Sequence, residues 1–151
     1  MGDFRFAGEW RIAADADRVY AALADVERYP QWWPGITAAR RLNGASGEIR
    51  LHDLFPVDIV FTAKQHTADP IRRMLVAGFN GDLEGTGSWE VQGVRGGSRA
   101  RYHEHLVVRA AIARRAGVLA RPLIHTSHAH LMRVGERGLA RYLGAPDPLR
   151  P

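Results

Sequence analysis

Apolar and polar residues alternate at the start of the chain: Phe4, Phe6, Gly8, Trp10 and Ile12 are interleaved with Arg5, Ala7, Glu9 and Arg11. That period of two marks a half-buried strand. The pattern then changes. Asp15 or Asp17 is placed to cap a short helix through Ala24, whose buried stripe is Val19, Tyr20 and Leu23. The following Val26 to Gly35 is interrupted by Pro30 and Pro34, which allow only a brief helical turn. From Ile36 to Val108 the pattern predicts six strands, at about 36–43, 47–54, 57–68, 71–79, 83–92 and 98–109. They are separated by Asn43-Gly44, Phe55-Pro56, Asp69-Pro70, Asn80-Gly81-Asp82 and the Gly93 to Gly97 cluster, each with its own turn chemistry. After Arg109 the spacing turns helical: Ile124, His128, Leu131 or Met132, Gly135, Leu139 and Tyr142 share one face. This helix begins near Pro122 or somewhat earlier and stops at Gly144, before Pro146.

The order of elements predicts an α+β fold: a seven-stranded curved antiparallel sheet around a long C-terminal helix, with two short helices between strands 1 and 2. The long helix has to cover the sheet's apolar face. One helix is narrower than seven strands, so a cavity is expected between the two layers. The 151 residues suit a single domain, with residues 1–144 as its body and 145–151 as a frayed tail.

Composition removes several classes of chemistry. With no cysteine there is no disulfide, thiolate metal site or thiol nucleophile, in keeping with a cytoplasmic protein. The net charge of +5 comes almost entirely from Arg, Lys64 being the only lysine. From position 109 onward, arginines at 109, 114, 115, 121, 133, 137, 141 and 150 face two acids, Glu136 and Asp147. Arg133, Arg137 and Arg141 stripe one helix face, either as a solvated back or as a weak contact with an anionic surface.

Strand parity picks out the candidate polar residues. Ala100, Tyr102, Glu104, Leu106 and Val108 face inward, which makes Glu104 the odd residue of an apolar face. It has to find a partner, such as an inward Arg73, or serve as an acid, base or ligand anchor. Trp89 and Val91 face inward on the preceding strand with Gly85 and Gly87, which either leave room for a ligand or bend the sheet. Phe61 lies among the inward residues of its strand, and Ile49, Leu51 and Asp53 line a neighbouring one. His128 lies on the sheet-facing side of the long helix, one turn from Ile124 and Met132, within reach of the cavity.

His125, His128 and His130 cannot converge on one ion, because about 100° per residue turns His130 away, so no metal is expected. Gly85-x-Gly87 lacks the following helix of a dinucleotide site, and no cofactor is expected. No nucleophile elbow surrounds any serine, and Met1-Gly2-Asp3-Phe4-Arg5-Phe6 has Phe where an acylation signal needs Ser or Thr.

The segment Ala14 to Pro34, with its Tyr29-Pro30-Gln31-Trp32-Trp33-Pro34 motif, and the run His128 to Leu139 resemble the START-like or SRPBCC (Bet v 1-like) superfamily. Within it, the chain looks similar to the bacterial polyketide cyclase/dehydrase or lipid-transport-like branch. The resemblance spans almost the whole chain and implies the helix-grip fold. It also implies an internal cavity for a lipid-like, aromatic or polyketide-like molecule, in a monomer or homodimer. Trp33, Phe61, Trp89, Tyr102, Glu104, His128 and Met132 are then the expected ligand-binding residues. A second implied activity is a cofactor-independent aromatase/cyclase, with Glu104, His128, Arg73 or Tyr102 moving protons or stabilising an enolate. A basic interaction module, without specific nucleic-acid recognition, is the remaining reading.

Overall fold

The computed structural model describes residues 3–149. Met1 and Gly2 of the acylation reading, and Arg150 and Pro151 of the tail, lie outside the described residues. The chain runs β1 (Asp3–Ile12), α1 (Ala16–Ala24), a 3-10 turn (Val26–Arg28) and α2 (Tyr29–Trp32). Six strands follow: β2 (Ile36–Asn43), β3 (Ser46–Leu51), β4 (Ile59–Asp69), β5 (Met74–Gly81), β6 (Leu83–Val94) and β7 (Gly97–Val108). α3 (Ala110–Ala113), a second 3-10 turn (Gly117–Leu119) and α4 (Ala120–Tyr142) complete the described fold.

All seven strands form one antiparallel sheet in the order β1-β7-β6-β5-β4-β3-β2, the helix-grip arrangement. The expected meander from β2 to β7 is present, and β1 closes onto β7 with Phe6 opposite Glu104 and Gly8 opposite Tyr102. Asp15 caps α1, its carboxylate accepting the Asp17 N–H at 3.2 Å. Two strand starts differ from expectation. β4 begins at Ile59, two residues late, because residues 52–58 form a loop. β5 begins at Met74 because Pro70 to Arg73 is a turn in which Arg73 takes a left-handed φ of 55°.

The core is built on tryptophan. Trp10 of β1 lies 5.0 Å from Trp33, 4.7 Å from Trp89 and 6.2 Å from Trp32, ring centre to ring centre. The C-terminal half of α4 rests on this cluster through its two glycines. A Cβ at Gly135 would stand 2.5 Å from the Trp33 ring, and one at Gly138 would collide with the Trp32 carbonyl oxygen. The Trp33 Nε1–H donates to the Leu131 carbonyl at 2.9 Å and fixes the same contact. α4 comes nearest the rest of the fold along β1 and α2, and it stands away from the middle strands. That offset leaves the space between the layers.

Glu136, which the hydrophobic pattern does not distinguish, is buried against the free edge of β1 and accepts the Arg11 N–H at 2.8 Å. Burial raises its pKa above the ordinary 4.5, with Asp147 and Glu9 adding to the rise against the Arg11 bond. A folded-state pKa above the unfolded one supplies stability that is full below the ordinary value and fades as pH climbs through the folded one. Glu136→Gln keeps an acceptor for Arg11, so its melting temperature should exceed that of the parent at neutral pH, and the difference should vanish on acidification. Glu136→Ala loses the acceptor and should cost about 1 kcal/mol, or about 3 °C, across the same pH series of thermal melts.

Beyond α4, the Ala145 N–H donates to the Ala140 carbonyl at 2.8 Å, and Asp147 pairs with Arg137 at 3.4 Å. Tyr142, expected to face inward, is instead 41% exposed and stacks loosely on Trp32. Among the described residues no helix is long and apolar enough to cross a membrane.

Candidate functional site

Between the sheet and α4 lies a cavity of about 270 Å³. Its sheet wall carries Ile49, Phe61, Leu75, Phe79 and Trp89, and the roof is Leu131 and Met132 of α4 with Trp33, which follows α2. Strand alternation sends these side chains inward, and Phe61 meets Phe79 edge to face at 5.3 Å. At one end the wall includes the exposed Glu27, Arg40, Arg41 and Gly44, so this end opens to solvent. Arg41 spans it, with its Nε 2.5 Å from Glu27.

The cavity wall holds a carboxylate–imidazole pair. Glu104 Oε1 of β7 lies 2.7 Å from His128 Nε2 of α4, with side-chain exposures of 21% and 12%. The His128 ring stacks flat on Phe6 at 3.7 Å, which fixes its plane and aims Nε2 at the carboxylate. Beside it, Tyr102 packs against Trp89 at 5.4 Å and leans across β1, where only a residue without a Cβ fits: a Cβ at Gly8 would stand 2.5 Å from the phenol oxygen. Burial pushes the Tyr102 pKa up, and Glu104 and Glu136 push it further, so the phenol stays protonated. Such a trio can hold a carbonyl, enol or hydroxyl group at one point of an apolar wall, and the pair can exchange a proton with it.

Seven of the residues singled out in the sequence, Trp33, Phe61, Trp89, Tyr102, Glu104, His128 and Met132, line this one cavity. Arg73 does not. It was expected as an inward partner for Glu104, but its guanidinium binds Asp17 of α1 at 2.7 Å. The reason is local: parity carries across a continuous strand, and the turn at Pro70 to Arg73 breaks it before β5 begins. Arg73 therefore stands outside the cavity, and His128 is the side chain that meets Glu104.

The two strand glycines divide the roles proposed for them. Gly85 has a φ of +129° and lies against the His105 backbone, so its conformation and this close approach, rather than space for a ligand, call for glycine. Gly87 lines the cavity, and the space above it is taken by the Phe79 ring and the Glu104 side chain. The three helix histidines part as their spacing requires: His128 meets Glu104, His130 pairs with Asp53 at 2.8 Å, and His125 abuts the Phe4 and Phe6 rings. Among the described residues no three His, Asp or Glu side chains gather as a metal site.

Two features were not legible in the pattern. Asp53 sits in the 52–58 loop rather than on β3, and it ties that loop to α4 through His130 and through the Ser127 hydroxyl, which donates at 3.3 Å. A second, almost wholly apolar chamber of about 70 Å³ lies beyond the pair, lined by Phe4, Phe6, Phe55, Ile112 and Ile124. It shares His128 and Leu131 with the main cavity.

A family model described as "Polyketide cyclase / dehydrase and lipid transport" matches residues 12–126. No curated protein matches the sequence. Among solved structures, the Zhui aromatase/cyclase from a Streptomyces species superposes with a TM-score of 0.76 at 18% identity, covering 94% of each chain. A START superfamily protein from Mycobacterium smegmatis gives 0.67 at 14% identity, over 95% of this chain and 98% of the other. Ara h 8.0201 gives 0.68 at 13% identity, over 94% and 98%. At these identities the likeness is one of fold.

Proposed function

The chain belongs to the polyketide cyclase/dehydrase and lipid transport family, and from that premise we propose that it holds a hydrophobic small molecule, lipid-like, aromatic or polyketide-like, in the cavity under α4. The observation that carries the reading is a mainly apolar cavity of about 270 Å³ whose wall holds the Glu104–His128 pair beside Tyr102, away from the charged Glu27–Arg41 mouth. Its volume is close to the lower end of small-molecule sites, roughly 300 Å³. Apolar walls supply affinity through area removed from water, and a few polar groups fix orientation.

Native mass spectrometry of protein purified from its source is expected to show a retained small molecule. A library of fatty acids and aromatic polyketide mimics should then raise the melting temperature; a ligand at a hundredfold excess over its Kd stabilises by about 2.7 kcal/mol, or about 8 °C. The proposal fails if no mass is retained and no compound in the library protects the protein.

The same pair favours a second reading, an aromatase/cyclase-like activity without a cofactor. The cavity would fold a poly-β-keto chain, the Glu104–His128 pair would take a proton from a methylene flanked by carbonyls, and Tyr102 would donate a hydrogen bond to the enolate oxygen. Glu104→Gln separates the two readings: apolar binding survives in either case, while cyclisation of a poly-β-keto substrate falls by at least about a hundredfold only if Glu104 moves protons.

A further inference from the structure

Between β7 and α4 the chain makes an elbow, residues 109–121, whose two sides differ in chemistry. Ala113 is buried and Ile112 turns inward to line the second chamber. The next large aliphatic residues do the opposite: Val118 is 97% exposed and Leu119 is 64% exposed, side by side at the tip. Arg114 and Arg115 flank them on the surface without a carboxylate in ion-pair range among the described residues. Arg109, held 3.5 Å from Asp82, and Arg121, whose guanidinium covers the Phe4 ring at 4.5 Å, extend the basic rim. From His105 to Gly135 the chain contains no acid.

From this arrangement we infer that the elbow is a docking surface for an anionic lipid bilayer. Two adjacent aliphatic side chains held in water are unfavourable unless something apolar receives them. Arginines around an apolar tip match a bilayer interface, where the cations meet anionic head groups and the aliphatic residues enter the acyl boundary. A nucleic acid would use the arginines and leave Val118 and Leu119 in water. Ile71, also highly exposed, is a single residue on the distant β4–β5 turn. The stripe of Arg133, Arg137 and Arg141 lacks an apolar tip, and Arg137 is engaged with Asp147. The elbow also roofs the apolar chamber between Ile112 and Ile124, at the opposite end of the sheet from the Glu27–Arg41 mouth. The surface goes beyond the cavity reading and stands whatever the cavity holds.

The absence of cysteine permits a direct test, since Val118→Cys carries a single environment-sensitive fluorophore. With vesicles of equal parts phosphatidylglycerol and phosphatidylcholine, the label should shift to the blue and the unlabelled protein should sediment. Pure phosphatidylcholine vesicles should give little of either, and a label at Thr67→Cys, at the far end of β4, should not respond. Arg114→Gln with Arg115→Gln should weaken partitioning about 30-fold, and added salt should weaken the parent likewise. Val118→Ser with Leu119→Ser should weaken it about tenfold with the melting temperature unchanged. Failure of the parent to sediment with the anionic vesicles, or an equal response at Thr67, overturns the inference. So does a Val118 shift that appears without lipid and grows with protein concentration, which would give the patch to a second copy of the chain.

Discussion

Gly138→Ala is expected to lower the melting temperature by about 10 °C, a loss of about 3 kcal/mol for one added methyl group. Alanine within a helix would ordinarily stabilise by up to about 1 kcal/mol over glycine. Here the new Cβ meets the Trp32 carbonyl, a backbone atom that cannot rotate away, in a segment stiffened by Pro30 and Pro34. Relief requires α2 to lift from α4. Trp33 would move with it, and that ring roofs the cavity, so ligand retention should fall together with stability. Gly44→Ala is the control, since nothing lies within 4 Å of its added Cβ, and it should stay within about 0.5 kcal/mol of the parent. Thermal melts of the three proteins decide the matter; a Gly138→Ala variant as stable as the parent would mean that α2 does not rest on this part of α4.

The Glu104–His128 pair should show the reverse economy, costly to break singly and cheap to remove together. Glu104→Leu leaves an imidazole facing an apolar wall, and His128→Leu leaves a carboxylate there; each is expected to cost about 2 kcal/mol. The double Leu variant faces apolar groups with apolar groups and should melt close to the parent, a coupling of several kcal/mol in a double-mutant cycle. Partial exposure of both side chains, 12% and 21%, keeps the single losses below those of a fully buried pair. If the double variant loses the sum of the singles, the two groups are not coupled. A double variant that folds well yet no longer discriminates polar from wholly apolar ligands would mark the pair as an anchor retained for recognition rather than for stability.

Strand parity was the most informative signal in the chain, because a side chain's face follows from counting. It set Tyr102, Glu104 and Leu106 inward together and marked Glu104 as the exception. Counting gives a face and not a neighbour, however, and the partner of Glu104 had to wait for the helix's position above the sheet. The helical period brought His128 inward, but its nearness to Glu104 depends on the Phe6 stack, a contact between the two ends of the chain. Arg73 was misplaced because periodicity was carried through a turn that resets it. Glu136 is illegible for a related reason: a carboxylate on a helix reads as solvated, and only the open edge of β1 supplies the N–H that accounts for its burial. Gly135 was placed on the inner face by its period; that Gly135 and Gly138 admit the Trp33 ring and the Trp32 carbonyl could not be read without knowing where α2 returns.

The seating of α4 on two glycines divides the helix into parts with different freedom to change. Near Gly135 and Gly138 each position is bounded by backbone or by indole rings, so few alternatives are compatible with folding. Near Ile124, His128 and Leu131 the helix overlooks empty space, and a change of side chain there alters the shape of the cavity before it disturbs the packing. A fold constructed in this way can explore new occupants at one end of a single helix while the other end keeps the structure intact, which gives one architecture room for many cargoes.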